Sequence, residues 1–372
     1  MTLLAAESHA VHCRATGPAA GGSRSLRDVP ELPEVEAARA LAERWTVGRT
    51  IVAADDADEW VCRPHPPGEI VTAIVGRRVE SVERIGKSMW IVLDDGLRLG
   101  LHLGMAGRLV GLAPEGSEAE RHALGDAAED EDGDAEQTTV DLSPGGAADV
   151  TGTPLADAHR RVTRLDPSVA AAAGLPDTAG EPLTARERSD WSMPVRKGST
   201  GIPGEGSWSR FTIELDDGGR LVLFDKRRLG RVRLNPDLSG LGPDALLIDE
   251  DTFVERVGRG ALPLKARLMD QATIAGIGNL LCDEILWQAE QPPLRPASDL
   301  SEAELRELHG IAHACTREAM VRGGVHLGDV IEHRKKGEHC PRCGAEMVRA
   351  TVGGRTTWWC SFEQAWPPVE DD

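Results

Sequence analysis

The 372-residue chain lacks any apolar run long enough to cross a membrane, which excludes a helical membrane protein. Its first 28 residues lack the basic start and apolar core of a secretion signal. An even cysteine complement is also missing: Cys13, Cys62, Cys282, Cys315, Cys340, Cys343 and Cys360 make seven, and only the last three cluster. That pattern excludes a disulfide framework and points to a reducing, cytoplasmic setting. Tyrosine is absent while Ala, Gly, Arg and Asp abound, a compositional bias rather than a functional signal. Positive charge is in deficit too, with a formal net charge of -19. The excess is local, however: between Glu115 and Asp149 a dozen acids face the single Arg121. Fields act locally, so the total does not exclude a polyanionic partner.

The length supports about two domains with real cores. Residues 1–29 have no periodicity and read as a disordered or non-native extension. From Pro33 to Trp45, Val35, Ala38, Leu41 and Ala42 recur at helical spacing. Strand-like segments follow at Thr50–Ala54, Ile70–Val75, Arg78–Ile85, Met89–Leu93 and Leu97–Leu103, with Asp94-Asp95-Gly96 as a hairpin turn. Residues 111–207, first acidic and then rich in Ala, Gly, Pro and Thr, read as a disordered insertion. Strands resume at Arg210–Leu215, Arg220–Phe224 and Arg231–Leu234. The fold class is therefore α+β: residues 30–235 form a helix plus a two-layer antiparallel β-sandwich of about eight strands. Helical segments near 243–247, 250–258, 263–271, 276–289, 301–320 and 327–332 make a second domain over 236–337. Residues 338–366 hold a hairpin around Val352-Gly353-Gly354-Arg355, and 367–372 are an acidic tail.

Three stretches carry chemistry. Val29-Pro30-Glu31-Leu32-Pro33-Glu34 opens the first helix; Pro33 suits a first turn and Glu34 the positive helix end, but folding alone explains neither Pro30 nor Glu31. Gly276 and Gly278 precede a helix and expose backbone N–H groups able to hold a phosphate. Cys340-Pro341-Arg342-Cys343 and Cys360 have metal-ligand spacing, but a fourth cysteine is expected at 363, where Glu363 stands. His339 is badly placed beside Cys340, and the hairpin could also keep its shape without metal.

Together these stretches resemble the formamidopyrimidine-DNA glycosylase and endonuclease VIII family of base-excision repair enzymes. The matching pieces run in family order: Pro30–Glu36, Gly86-Lys87, His102-Leu103-Gly104-Met105, Asp225–Gly230, Lys265 with Asp270-Gln271, Gly276–Leu286 and Cys340–Cys360. The resemblance implies a helix–two-turn–helix domain, a zinc-finger-like hairpin, and a monomer acting on double-stranded DNA with damaged bases or abasic sites. It implies a bifunctional glycosylase and abasic-site lyase that works through a Schiff base on Pro30 and cleaves the strand by β/δ-elimination. An α-amino group, with a pKa near 8 against about 10.4 for lysine, suits that nucleophile.

On the same resemblance Glu31 is the proton donor, Glu34 a supporting carboxylate, and Lys87, His102, Asn279 and Arg355 grip phosphates. Met105, Arg227 and Leu229 fill the space left by a flipped base, and Lys265 lies near the lesion pocket; read alone, Lys265 is equally a surface helix charge. One structural zinc would be held by Cys340, Cys343, Cys360 and Glu363. Two departures bear on lesion preference: Leu229 replaces the usual Phe, and the segment Val325–His339 is shorter than the loop that closes over oxidised purines. Pro30 can react only with a free nitrogen. Val29 stands where the family has its initiator Met, and a GUG codon is read as Met at a start but as Val within a longer frame. The working chain is thus expected to begin at Val29, which is then removed. If residues 1–29 are retained, the alternative is a catalytically inactive damaged-DNA or abasic-site binding protein.

Overall fold

A computed structural model of the chain describes residues 30–104, 107–114 and 208–367. Two four-stranded antiparallel sheets face one another. One has the order β1-β6-β7-β5, built from β1 (Ile51–Asp55), β5 (Gly107–Leu112), β6 (Ser209–Leu215) and β7 (Arg220–Asp225). The other runs β2-β3-β4-β8, from β2 (Val79–Ile85), β3 (Ser88–Leu93), β4 (Arg98–His102) and β8 (Arg231–Leu234). Alternate residues such as Val82, Ile91, Leu99, Ile213, Leu223 and Val232 fill the space between them, as a sandwich requires. The Asp94-Asp95-Gly96 turn lies where the sequence puts it, and Asp216–Gly219 makes a second turn between β6 and β7, with Gly96 and Gly218 both at a φ of 81°.

Two expectations are corrected. Ile70–Val75 is not a strand: Glu69–Ile74 forms helix α3. The Asp56 carboxylate accepts from the N–H groups of Gly68, Ile70 and Val71, and Ile70 and Ile74, four apart, turn one face inward. The expected insertion begins too early, since Gly111 and Leu112 end β5, which pairs with β7. Residues 1–29, 105–106, 115–207 and 368–372 lie outside the described residues, so the readings of Val29, Met105, the extension, the acidic insertion and the acidic tail do too.

Helix α1 (Leu32–Thr46) joins the two domains. Val35, Ala38 and Ala42 enter the sandwich core, while Leu32 enters the core of the helical domain. That second core is built on α4 (Glu250–Val257), α5 (Leu264–Met269), α6 (Asn279–Gln288) and α7 (Glu302–Arg322). Residues 243–247 form a turn, and the 327–332 segment contributes only a single turn of 3₁₀ helix at Ile331–His333. A buried charge chain ties the domains: Arg84 Nε donates to Glu36 at 2.7 Å, and its Nη1 to Asp244 at 2.5 Å. The finger hairpin, β9 (Met347–Val352) and β10 (Arg355–Cys360), packs its strands beside α6.

Candidate active site

The N-terminus of α6 takes a carboxylate from the same chain. Glu31, fully buried, accepts from the backbone N–H groups of Gly278 at 3.0 Å, Leu280 at 2.8 Å and Leu281 at 3.0 Å. The glycine-flanked helix end is therefore an anion site, as its sequence suggests, but the anion is Glu31 rather than a phosphate. The fit is steric as well: a Cβ on Gly278 would fall 2.3 Å from the Glu31 carboxyl carbon. Leu32 N–H donates to Gly276 O at 3.2 Å, fixing Pro30-Glu31 against this loop.

Glu34 lies one turn on, buried, its Oε2 accepting from Glu31 N–H at 3.0 Å and its Oε1 from Val325 N–H at 2.6 Å. Burial first, then the neighbouring Glu31 charge, pushes its pKa up to about 7. Lys87 faces this pair from the β2–β3 turn. Loss of water lowers its pKa, opposed by the charges of Glu31 and Glu34 and assisted by Arg355. The turn is wedged in place, because Gly86 N–H donates to Asp244 at 2.7 Å and a Cβ on Gly86 would meet the Ala275 side chain at 2.7 Å. Lys87 is thus a half-buried cation aimed at two carboxylates, not a solvated strand end.

His102 ends β4. Its Nδ1 accepts from Gly104 N–H at 3.0 Å, which leaves the proton on Nε2 as a free donor. Loss of surrounding water, then Lys87, Arg231 and Arg233, pushes its pKa down to about 4. The residue itself is exposed, so the three cations are the part of this effect that an open ring retains. Beside it, the Asp225–Gly230 loop is shaped by the buried Asp225 carboxylate, which accepts from Arg227 N–H at 2.9 Å and Gly230 N–H at 2.6 Å. Gly104 fits against the Leu229 backbone so closely that a Cβ there would lie 2.2 Å away. Arg227 is exposed and Leu229 half-buried on this rim.

Asn279 opens α6 with its Oδ1 buried and without a partner. Arg355 reaches the site from the finger turn and is close enough to lower the Lys87 pKa. Lys265 is not the surface helix charge that it resembles when read alone. It is fully buried and ion-paired with Asp283, whose other oxygen binds Arg334 Nε at 2.8 Å and Trp358 N–H at 3.3 Å. Lys265 is a tie between the helical core and the finger, and its ammonium is not an open DNA contact. Asp283 was not singled out from sequence, although the acid pair Asp283-Glu284 within the otherwise apolar Leu280–Leu286 is a signal that marks it; Asp244 carried no such signal.

The ligand atoms of Cys340, Cys343, Cys360 and Glu363 all lie within 4.8 Å of one another. Three thiols and a carboxylate suit a tetrahedral divalent ion, with Trp287 Nε1–H donating to Cys340 Sγ at 3.3 Å from outside the group. The donor set fits a structural metal.

Comparison with known proteins agrees with this geometry. Residues 29–161 match the family described as formamidopyrimidine-DNA glycosylase N-terminal domain, and residues 240–329 match its H2TH domain. The chain is 29% identical over 356 residues to a formamidopyrimidine-DNA glycosylase of Chloroflexus aurantiacus, covering 89% of this chain and 96% of that one. It is 30% identical over 292 residues to one from Arabidopsis thaliana, covering 76% and 55% respectively. In fold it is similar to Lactococcus lactis Fpg complexed with abasic-site DNA, at a TM-score of 0.59 and 21% identity over 90% of this chain and all of that one. It is similar also to MutM complexed with DNA containing carbocyclic 8-oxo-G, at 0.58 and 22% with the same coverage.

Proposed function

Since the chain belongs to the formamidopyrimidine-DNA glycosylase family, we propose that this DNA glycosylase is bifunctional, excising oxidised bases and cleaving the resulting abasic site through Pro30. The observation that carries the reading is the binding of Glu31, the residue after Pro30, by three N–H groups of α6, at a site where the charges of Glu31, Glu34 and Arg355 act on Lys87. The neutral Pro30 nitrogen attacks C1′ of the flipped nucleotide. The C1′–base bond breaks, and the base leaves with the bonding pair and a proton. The proton released from the Pro30 nitrogen passes to the Glu31 carboxylate, which delivers it to O4′ and opens the sugar as the C1′–O4′ bond breaks and an iminium forms. Loss of the C2′ proton expels the 3′ phosphate, and a second elimination expels the 5′ phosphate.

Glu34 is the reservoir in this scheme. With its pKa raised to about 7 it holds a proton at neutral pH, one turn from the Glu31 backbone that it accepts from. Lys87, His102 through Nε2–H, Asn279 and Arg355 position phosphates without reading sequence. Met105, Arg227 and Leu229 occupy the gap in the duplex. Cys340, Cys343, Cys360 and Glu363 would hold zinc, which supplies structure to the finger and so fixes Arg355.

The chemistry requires a chain processed to begin at Pro30. The test compares protein starting at Pro30, the same protein with Pro30→Gly, and the full chain, each treated with borohydride on abasic-site DNA. A covalent product from the first, little from the second and none from the third supports the reading. Equal trapping by the Pro30→Gly protein assigns the nucleophile elsewhere, with Lys87 the nearest amine to examine.

A further inference from the structure

On the far side of His102 stands a cluster of cations that the chemistry above leaves unused. Trp60, on helix α2 (Glu59–Cys62), is 54% exposed. The Arg63 guanidinium lies 3.8 Å from its ring centroid and that of Arg231 6.0 Å away. Arg231 and Arg233 both turn outward from β8 while Val232 between them enters the core. Two residues of antiparallel strand set them about 6.8 Å apart. Arg231 is the cross-strand partner of His102, so the cluster continues the site rather than standing apart from it.

The cluster is held by bonds from several elements. Arg233 Nε donates to Arg63 O at 3.3 Å, and Leu234 N–H donates to His65 Nε2 at 3.2 Å while His65 Nδ1–H donates to Glu69 at 2.9 Å. Asp58 caps α2 through Trp60 and Val61 N–H and accepts from Arg228 Nε at 2.8 Å. Among the described residues no carboxylate pairs with Arg63, Arg231 or Arg233, and Nη1 of Arg63 is buried without a partner. The cations also crowd one another: after burial, Arg63 and Arg233 are what lower the Arg231 pKa, against the pull of Asp225. In a chain of net charge -19, three adjacent arginines without counter-ions form a site that an anion would complete.

We propose that Trp60, Arg63, Arg231 and Arg233 form a second DNA contact that grips backbone phosphates of the intact duplex flanking the damaged site. The proposal rests on the DNA-glycosylase reading. Guanidinium forks match phosphate oxygens bidentately, and the Arg63 guanidinium stacks over the face of the Trp60 ring, which holds its position. Duplex is favoured over an unpaired strand because Arg63 already covers one face of the only indole present, leaving cations rather than stacking platforms in the majority.

The test measures affinity for a long duplex bearing a reduced abasic-site analogue, across a range of salt, for wild type, Arg231→Ser/Arg233→Ser, Arg63→Gln and Arg231→Lys/Arg233→Lys. Each lost phosphate contact lowers the slope of log affinity against log salt by about 0.9, so the double Ser variant loses about 1.8. Between 50 and 200 mM salt that is roughly a 12-fold smaller fall in affinity. Arg63→Gln loses about half as much, and the Lys pair recovers most of the slope by keeping the charge. Thermal melting of each variant reads folding independently, and the Lys pair keeps the test decisive if the Ser pair unfolds. Slopes equal to wild type in the Ser and Gln variants overturn the proposal. Failure of the protein beginning at Pro30 to trap abasic DNA overturns the proposed function, and this contact with it.

Discussion

At the scale of single residues the site depends on how closely Glu31 fits the end of α6. Gly278 sits at φ -115° and ψ -162°, which alanine tolerates, so its cost is steric alone. Gly278→Ala would put a methyl group where the Glu31 carboxyl now lies. We expect borohydride trapping to slow on the order of 100-fold, since small displacements of a reacting group cost that much, while thermal melting changes little. Full activity in that variant would mean that the Glu31 position is not critical. Glu34 offers a test in pH. Its folded pKa of about 7 stands above the ordinary carboxylate value of 4.5, so the folded chain binds the extra proton between these limits. This term is fully present below pH 4.5 and is lost as pH rises through 7, worth at most about 3 kcal/mol. Denaturant titrations from pH 5 to 8 should show stability falling in wild type and a flatter profile in Glu34→Gln; parallel profiles would contradict the assignment. Among the residues, an unusual motif marked Glu31 and Glu34, which meet at the end of α6, whereas Lys87 stood out only through the family resemblance. The partner of Glu31 was not, because three backbone N–H groups leave no trace in side-chain identity.

At the scale of elements, periodicity told most strands and helices apart, and it failed where a cap decided the matter. Ile70–Val75 alternates well enough for a strand, yet Asp56, twelve residues before Gly68, supplies the bonds that start a helix. Strand β5 was not read as a strand, and its last two residues went to the insertion, because its glycines and short length weaken the pattern. Lys265 was misread because nothing local says that Asp283, eighteen residues on, lies against it. That pair, with Arg334 and Trp358 N–H, joins α5, α6 and the finger. Asp283→Leu strands two buried cations, and urea unfolding should show a loss of about 3–5 kcal/mol. A loss below about 1 kcal/mol would mean that the finger docks by other means. The finger itself should bind one zinc ion by metal analysis. Glu363→Ala should release it and weaken DNA binding through Arg355, whereas Glu363→Cys should hold it against stronger chelators; a metal-free wild type that binds DNA fully would refute this role.

At the scale of the molecule, two domains share α1, so the start of the chain is set by both cores at once. This is why the seven residues Pro30–Glu36 order so much downstream: Leu32 belongs to the helical core, Glu36 to the charge chain through Arg84 to Asp244, and Glu31 to α6. The sandwich should not need the acidic segment. Strands β5 and β6 flank β7 and both pair with it, and a 12-residue Gly/Ser linker, averaging about 19 Å, can replace residues 115–207. Melting temperatures of the two proteins should agree within a few degrees; unfolding of the shortened chain would show that the segment builds part of the core. The central claim is that Pro30 nitrogen carries the covalent chemistry. The most direct measurement is mass spectrometry of the proteolysed, borohydride-reduced adduct between the protein beginning at Pro30 and abasic-site DNA. The account predicts the sugar fragment on the N-terminal Pro30-Glu31 peptide. Its attachment to a peptide containing Lys87, or to any other amine, would contradict it.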